Sequence, residues 1–284
     1  MLRHLDGPPA PELVALLDGQ PELSVRIRAL WRAYGAGQNF FDVWVQDEAR
    51  ACLARLDDTF FLVDGGADYE EIASFLHMAP YFTALIAADR AARSVADRLP
   101  APVAISGRHL LGRRAPVRKR RPAGGTIDHR PDLRSVYAVA SSHFAVPGGF
   151  APWYTDMSHR IRHGCALAYL MRAGGKPVSV CLVSAQSGQA GLISSVVTLP
   201  DYRRRGYAGA LLASACADLI ADGRMPALEC REELLPFYRG LGFAEVCLVA
   251  EVRVIENGAA AVSISPNAAP GFPAEKPERW ETNL

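Results

Sequence analysis

Long apolar runs are missing from this chain: no stretch approaches the ~18 residues that a bilayer crossing requires, and Met1–Pro9 holds no secretion-signal core. A net charge is missing too. The 31 Lys and Arg residues against 30 Asp and Glu leave +1, so no whole-molecule field recruits nucleic acid or an anionic membrane. Paired cysteines are also absent. The six, at 52, 165, 181, 216, 230 and 247, form no CxxC, and most stand inside apolar runs such as Ser179–Val183. That excludes a disulfide frame or zinc knot and predicts reduced, buried thiols. His159 and His163 stand four apart, but the intervening Arg160-Ile161-Arg162 lacks the Glu of a metalloprotease helix, so no metal is expected. The expectation is a soluble, cytoplasmic protein acting on a small-molecule or peptide amine, with neither nucleic acid nor membrane as partner and homo-oligomerisation left open.

What is present suffices for two domains: 284 residues, half of them hydrophobic. The expected division is residues 1–112, an N-terminal α/β domain; 113–130, a basic Pro/Gly linker or loop; 131–256, a second α/β domain; and 257–284, a C-terminal extension rich in Ala, Pro and Asn. The linker carries Arg118-Lys119-Arg120-Arg121-Pro122 and Gly124-Gly125 without apolar periodicity. In the first half, Glu22 to Tyr34 reads as helix and Phe40–Val45, Thr59–Val63 and Phe82–Ala87 as strands. Asp68 caps a helix whose Ile72, Phe75, Leu76 and Ala79 share one face. Gly35-Ala36-Gly37 follows a helix and lacks the third glycine of a dinucleotide loop, so that reading is rejected.

After the linker, Asp132–His143 and Tyr154–His163 read as helices, and Cys165–Met171, Pro177–Val183 and Gly191–Leu199 as an antiparallel meander. Pro200 stops the third strand, and Asp201 to Gly206 turns into a helix striped by Ala208, Leu211, Leu212, Ala215, Leu219 and Ile220. The start of that helix offers unpaired N–H groups and the positive end of the helix dipole. Gly206 leaves room there, and Arg203, Arg204 and Arg205 add charge, which together suit a pyrophosphate.

These residues resemble the GNAT acyltransferase family. Val196 through Ala208 is similar to its strand followed by Arg/Gln-x-x-Gly-x-Gly/Ala, with Arg203, Gly206 and Ala208 at the three fixed positions. Phe237-Tyr238-Arg239-Gly240-Leu241-Gly242-Phe243 resembles its later Phe-Tyr-x-x-x-Gly-Phe segment. The resemblance spans roughly Pro131 to Val254 and implies a mixed, mostly antiparallel sheet flanked by helices. The order of elements before the linker resembles part of the same fold without its cofactor turn, which would make the first half a degenerate tandem copy.

The resemblance further implies acetyl-CoA as cosubstrate and no metal. Val196, Val197 and Thr198 would meet the pantetheine arm, and Arg203, Arg204, Arg205, Gly206, Tyr207, Ala208 and Gly209 would cradle the pyrophosphate. Tyr238 would act as general acid on the departing thiolate. The glutamate that many members place on the strand before the turn is missing from Gly191–Val197. The base therefore stays open among a water relayed by Ser194, Ser195 or backbone carbonyls, Glu229, Asp156, His159 and His143. Trp153, Tyr154 and Asp156 are candidates for an acceptor pocket, and Arg160 and Arg162 read as solvated. A non-catalytic CoA-binding or scaffolding protein is the alternative that the missing glutamate and the motif-poor first half suggest.

Overall fold

Prolines at the first turns of two consecutive helices, and the meanders that follow them, set out the chain in two matching passes. The computed structural model describes residues 1–35, 37–115, 124–146 and 148–255. The first pass is β1 (Leu2–His4), α1 (Pro11–Gly19), α2 (Pro21–Tyr34), β2 (Phe41–Gln46), β3 (Ala51–Leu56), β4 (Thr59–Asp64), α3 (Tyr69–Met78), β5 (Ala84–Ala88), α4 (Asp89–Ala96) and β6 (Val103–Gly112). The second is β7 (Thr126–Asp128), α5 (Leu133–Ser141), α6 (Phe150–Arg162), β8 (Leu167–Ala173), β9 (Lys176–Gln186), β10 (Ala190–Thr198), α7 (Tyr207–Ala221), β11 (Met225–Cys230), α8 (Leu235–Gly240) and β12 (Ala244–Val254). Element for element the order repeats, so the chain is an internal duplication in architecture.

Local signals explain the boundaries. The Asp68 carboxylate accepts from the amides of Glu70 and Glu71, and Asp132 accepts from Ser135, each satisfying an orphan donor of a first turn. The β3 strand escapes sequence reading because all six of its residues are buried, which erases the alternation that betrays a half-exposed strand. The α7 stripe proves too narrow a description: Ala210 through Cys216 are buried without interruption, so this helix is covered on most of its circumference. Within the expected linker, Thr126–Asp128 forms a strand against β8. The charge run at 118–121 and the C-terminal extension from 257 lie outside the described residues.

All twelve strands join one sheet in the order β1-β2-β3-β4-β5-β12-β6-β11-β10-β9-β8-β7. The two passes meet by exchanging their last strands. The N-terminal half's β6 pairs with β11, the C-terminal half's β12 pairs with β5, and the two exchanged strands pair antiparallel along Val103–Gly112. The cores follow the exchange: Leu111 of β6 packs with Tyr169, Leu211 and Tyr238, whereas Ala250 and Val252 of β12 pack with Phe60 and Ile72. A further seam is α2, whose Val25, Ala29 and Ala33 lie against Ala185 and Leu192 of the second half.

Candidate active site

Parallel pairing between β10 and β11 runs only from Ala190 opposite Met225 to Ile193 opposite Leu228. Beyond it, the register of β10 against β9 slips between Ser194 and Val197, and Ser195 adopts φ 48°, a bulge that bends the strand. The two strands therefore splay, and a cleft of about 490 Å³ opens between them. Val196, Val197 and Thr198 form its β10 wall, while Glu229 and Cys230 of β11 stand opposite.

At the mouth of the cleft the chain turns into α7. Gly206 adopts φ 79° and ψ 4°, a left-handed conformation that favours glycine, and a Cβ built there would meet nothing within 4 Å. No side chain caps α7, so the amides of its first turn, Tyr207, Ala208 and Gly209, are left for a ligand on the cleft side. Arg203 and Arg204 line the same end. Of the residues expected to hold the cofactor, Arg205 alone falls outside the lining. Its guanidinium donates to the Asp201 carbonyl (2.9 Å) and lies 5.2 Å over the Tyr202 ring, so it braces the turn from outside.

Tyr238 enters from α8, 8% exposed, with its ring edge-on to Phe243. Burial, followed by the neighbouring Cys181 and Cys230 thiols, pushes its phenol well above the ordinary tyrosine value. Glu229 is the single carboxylate lining the cleft among the described residues. Burial opposes its ionisation, but Arg26 at 2.6 Å and Arg108 at 3.1 Å outweigh that and hold its pKa below the usual carboxylate range. Arg108 also pairs with Glu251. Both arginines come from the N-terminal half, and only Arg108 lines the cleft. Sequence reading missed them, since an arginine inside α2 or β6 carries no motif; the one clue was a cation in the otherwise uncharged run Val103–Gly107 to Leu110–Gly112, broken at Arg108-His109.

The remaining candidates separate. His143 and Phe144, in the loop between α5 and α6, line the cleft. Ser194 and Ser195 do not. Asp156 accepts from Tyr34 and pairs with Arg160, and His159 Nε2 donates to the Ala33 carbonyl (2.8 Å) while the ring stacks on Tyr34. These two residues tie α6 to α2, far from the role of a base. Trp153 is packed against Tyr137 and Phe150, and Tyr154 is exposed; neither reaches the cleft. Arg160 is buried rather than solvated, donating to the Ser184 carbonyl at 2.8 Å.

The matching turn of the N-terminal half is filled by its own acids. The Asp64 carboxylate accepts from the amides of Gly66 and Ala67, both at 2.8 Å, and from the Tyr69 hydroxyl. The Asp68 carboxylate accepts from the amides of Glu70 and Glu71, and Gln46 Oε1 accepts from that of Asp68. The start of α3 is thus capped by a side chain of its own, whereas the start of α7 is not.

Residues 133–243 match the sequence profile of the acetyltransferase (GNAT) family. The C-terminal half is a GNAT domain. Solved structures extend the likeness of fold to both halves. A GCN5-related N-acetyltransferase from Kribbella flavida superposes with a TM-score of 0.60 at 17% identity, over 83% of this chain and 95% of its own. A tandem GNAT protein from the clavulanic acid biosynthesis pathway gives 0.57 at 15% identity, over 92% of this chain and 99% of its own. A Drosophila protein gives 0.60 at 13% identity, over 90% and 99%. A search among curated proteins found no significant match. The N-terminal half is therefore GNAT-like in fold and departs from the C-terminal GNAT domain at the turn where Asp64 and Asp68 stand.

Proposed function

We propose that the cleft between β10 and β11 binds acetyl-CoA and transfers its acyl group to an amine by direct attack. The observation that carries this reading is the splay of the two strands onto the uncapped start of α7, flanked by Arg203 and Arg204. A pantetheine arm would lie along Val196–Thr198, and its pyrophosphate would accept from the amides at Gly206 to Gly209. Arg205 supports the turn from outside the cleft.

A neutral amine attacks the thioester carbonyl; the C–N bond forms, the C–S bond breaks, and an amide on β10 near Val197 donates to the developing oxyanion. Tyr238, kept protonated by burial, gives its proton to the departing thiolate. His143 takes the amine's proton, directly or through water. Glu229 lines the cleft as well, but its two arginines weaken it as a base.

Thermal unfolding with acetyl-CoA tests the binding step. A native-state ligand at a hundredfold excess over its Kd adds about 2.7 kcal/mol, and Gly206→Glu, which sets a carboxylate in the anion site, is expected to remove that gain. Release of free thiol across a panel of amines tests the chemistry. Stabilisation without turnover would favour the non-catalytic CoA-binding reading, and no stabilisation would remove both.

A further inference from the structure

The exchanged strand β6 is longer than the partner it meets. Its ladder to β12 covers Val103 to Gly112, whereas its ladder to β11 covers only His109 to Gly112. Residues 103–107 therefore overhang the end of β11, and Ala104 through Gly107 are exposed. The overhang reaches the cleft, because β11 ends at Cys230 opposite His109, and both Cys230 and Arg108 line the cleft.

Backbone parity shows which groups are free there. Pro102 accepts from the Ile255 amide (2.9 Å) on the β12 side, and the Arg113 amide donates to Pro226 (2.9 Å) on the β11 side. Polar groups of successive residues in an antiparallel strand point to opposite neighbours, so even-numbered residues of β6 address β12 and odd-numbered ones address β11. Past the end of β11, the N–H and C=O groups of Val103, Ile105 and Gly107 consequently face an edge with no strand paired to it among the described residues.

Open edges are ordinarily blunted by charge, proline or a bulge. The symmetry-related overhang, Ala244 to Leu248 of β12 beyond the end of β5, has two of these: Glu245 and a register slip between Glu245 and Cys247. It stands beside the half whose anion turn is filled by Asp64 and Asp68. The β6 overhang, Val-Ala-Ile-Ser-Gly, has neither charge, proline nor bulge, and it stands beside the cleft with the free helix start. The blunted edge goes with the closed turn and the clean edge with the open one.

We propose that residues 103–107 form the docking strand for the acceptor, an extended peptide with a free N-terminal amine. The proposal rests on the reading of the cleft as an N-acyltransferase site. The peptide pairs antiparallel to β6 in the line that β11 would follow, its first residue beside Arg108 at the cleft and the rest running towards Val103. Main-chain bonds to Val103, Ile105 and Gly107 supply the affinity, as in other strand additions to a sheet edge. The N-terminal half then owns acceptor binding, and the C-terminal half owns acyl-CoA.

The test measures thiol release from acetyl-CoA by the full chain with alanine amide, with an Ala/Val pentapeptide amide, and with that peptide N-methylated at either alternate set of amides. The expected result is a KM for the pentapeptide at least about tenfold below that of alanine amide, taking about fivefold per net hydrogen bond. One methylated set loses that advantage and the other keeps it. Ile105→Pro, which removes an edge N–H without touching the β12 ladder, raises the peptide KM by about fivefold or more and leaves that of alanine amide unchanged. Equal KM values, or methylation that acts regardless of position, would overturn the proposal while turnover of alanine amide left the acyltransferase reading standing. Should no amine be turned over, anisotropy of the C-terminally labelled pentapeptide on CoA-saturated protein reads the edge alone: position-dependent binding supports the proposal and absence of binding overturns it. A dimer in solution that Ile105→Pro dissociates would put a second copy on this edge and overturn it as well.

Discussion

Gly206 stands at the turn into α7, and Tyr238 reaches the same cleft from α8. Gly206 is legible because a left-handed turn before an uncapped helix needs a residue without Cβ, and the surrounding Arg-x-x-Gly-x-Ala spacing marks the place. Tyr238 is legible through the Phe-Tyr and Gly-Phe pair around it, but its depth in the core between Cys181 and Cys230 is not. That depth bears on chemistry. Tyr238→Phe is expected to bind acetyl-CoA as the parent does and to lower kcat by ~10²–10⁴-fold, the usual worth of a general acid. Because burial raises the phenol above its ordinary value, the parent's kcat should hold flat as pH rises to ~10, where an unperturbed tyrosine would ionise. Equal kcat for the two proteins with a working acceptor would end the general-acid assignment. Arg205 is the cautionary residue: three adjacent arginines look alike in sequence, yet the tight turn sends one of them outward onto Tyr202.

At the scale of elements, Glu229 joins three pieces of backbone: it stands on β11 and is gripped from α2 by Arg26 and from β6 by Arg108. No local signal could reveal this, since the partners lie 203 and 121 residues away in the chain. Glu229→Gln leaves the buried Arg108 with Glu251 alone and takes the carboxylate from the half-buried Arg26, and breaking a buried pair typically costs up to about 3–5 kcal/mol. The pH dependence has a definite sign. A carboxyl whose folded pKa lies below its reference value of 4.5 stabilises the fold fully above that value, and the contribution is lost as pH falls through the lowered folded pKa. Urea unfolding from pH 7 to pH 3 should therefore show the parent losing more stability than Glu229→Gln, and parallel curves would contradict the pairing. Elements with a clean local pattern, such as α2, α3 with its Asp68 cap, and the β8–β10 meander, were legible. Those shaped by distant partners were not: β3 is buried on both faces, and β6 crosses into the other half's core.

The whole molecule is built on that crossing. Duplicated order made a degenerate tandem copy readable from sequence, but composition cannot show that β6 and β12 change places, because each strand would suit either sheet. Exchange predicts mutual dependence. A chain nicked at a protease site inserted between residues 113 and 124 is expected to stay together through size exclusion and to unfold in one transition, since each half holds a strand inside the other's sheet. Separation of the fragments in buffer, or two independent transitions, would contradict it. The same duplication raises the question whether both halves or one bind the cofactor. The Asp64 and Asp68 carboxylates already occupy the amides of the first half's turn, whereas those at the start of α7 are free for a ligand. Isothermal titration of the full chain with acetyl-CoA measures this directly: one site per chain, abolished by Gly206→Glu, is expected, and either two sites or an undiminished single site in that variant would overturn the assignment of the cofactor to the C-terminal half.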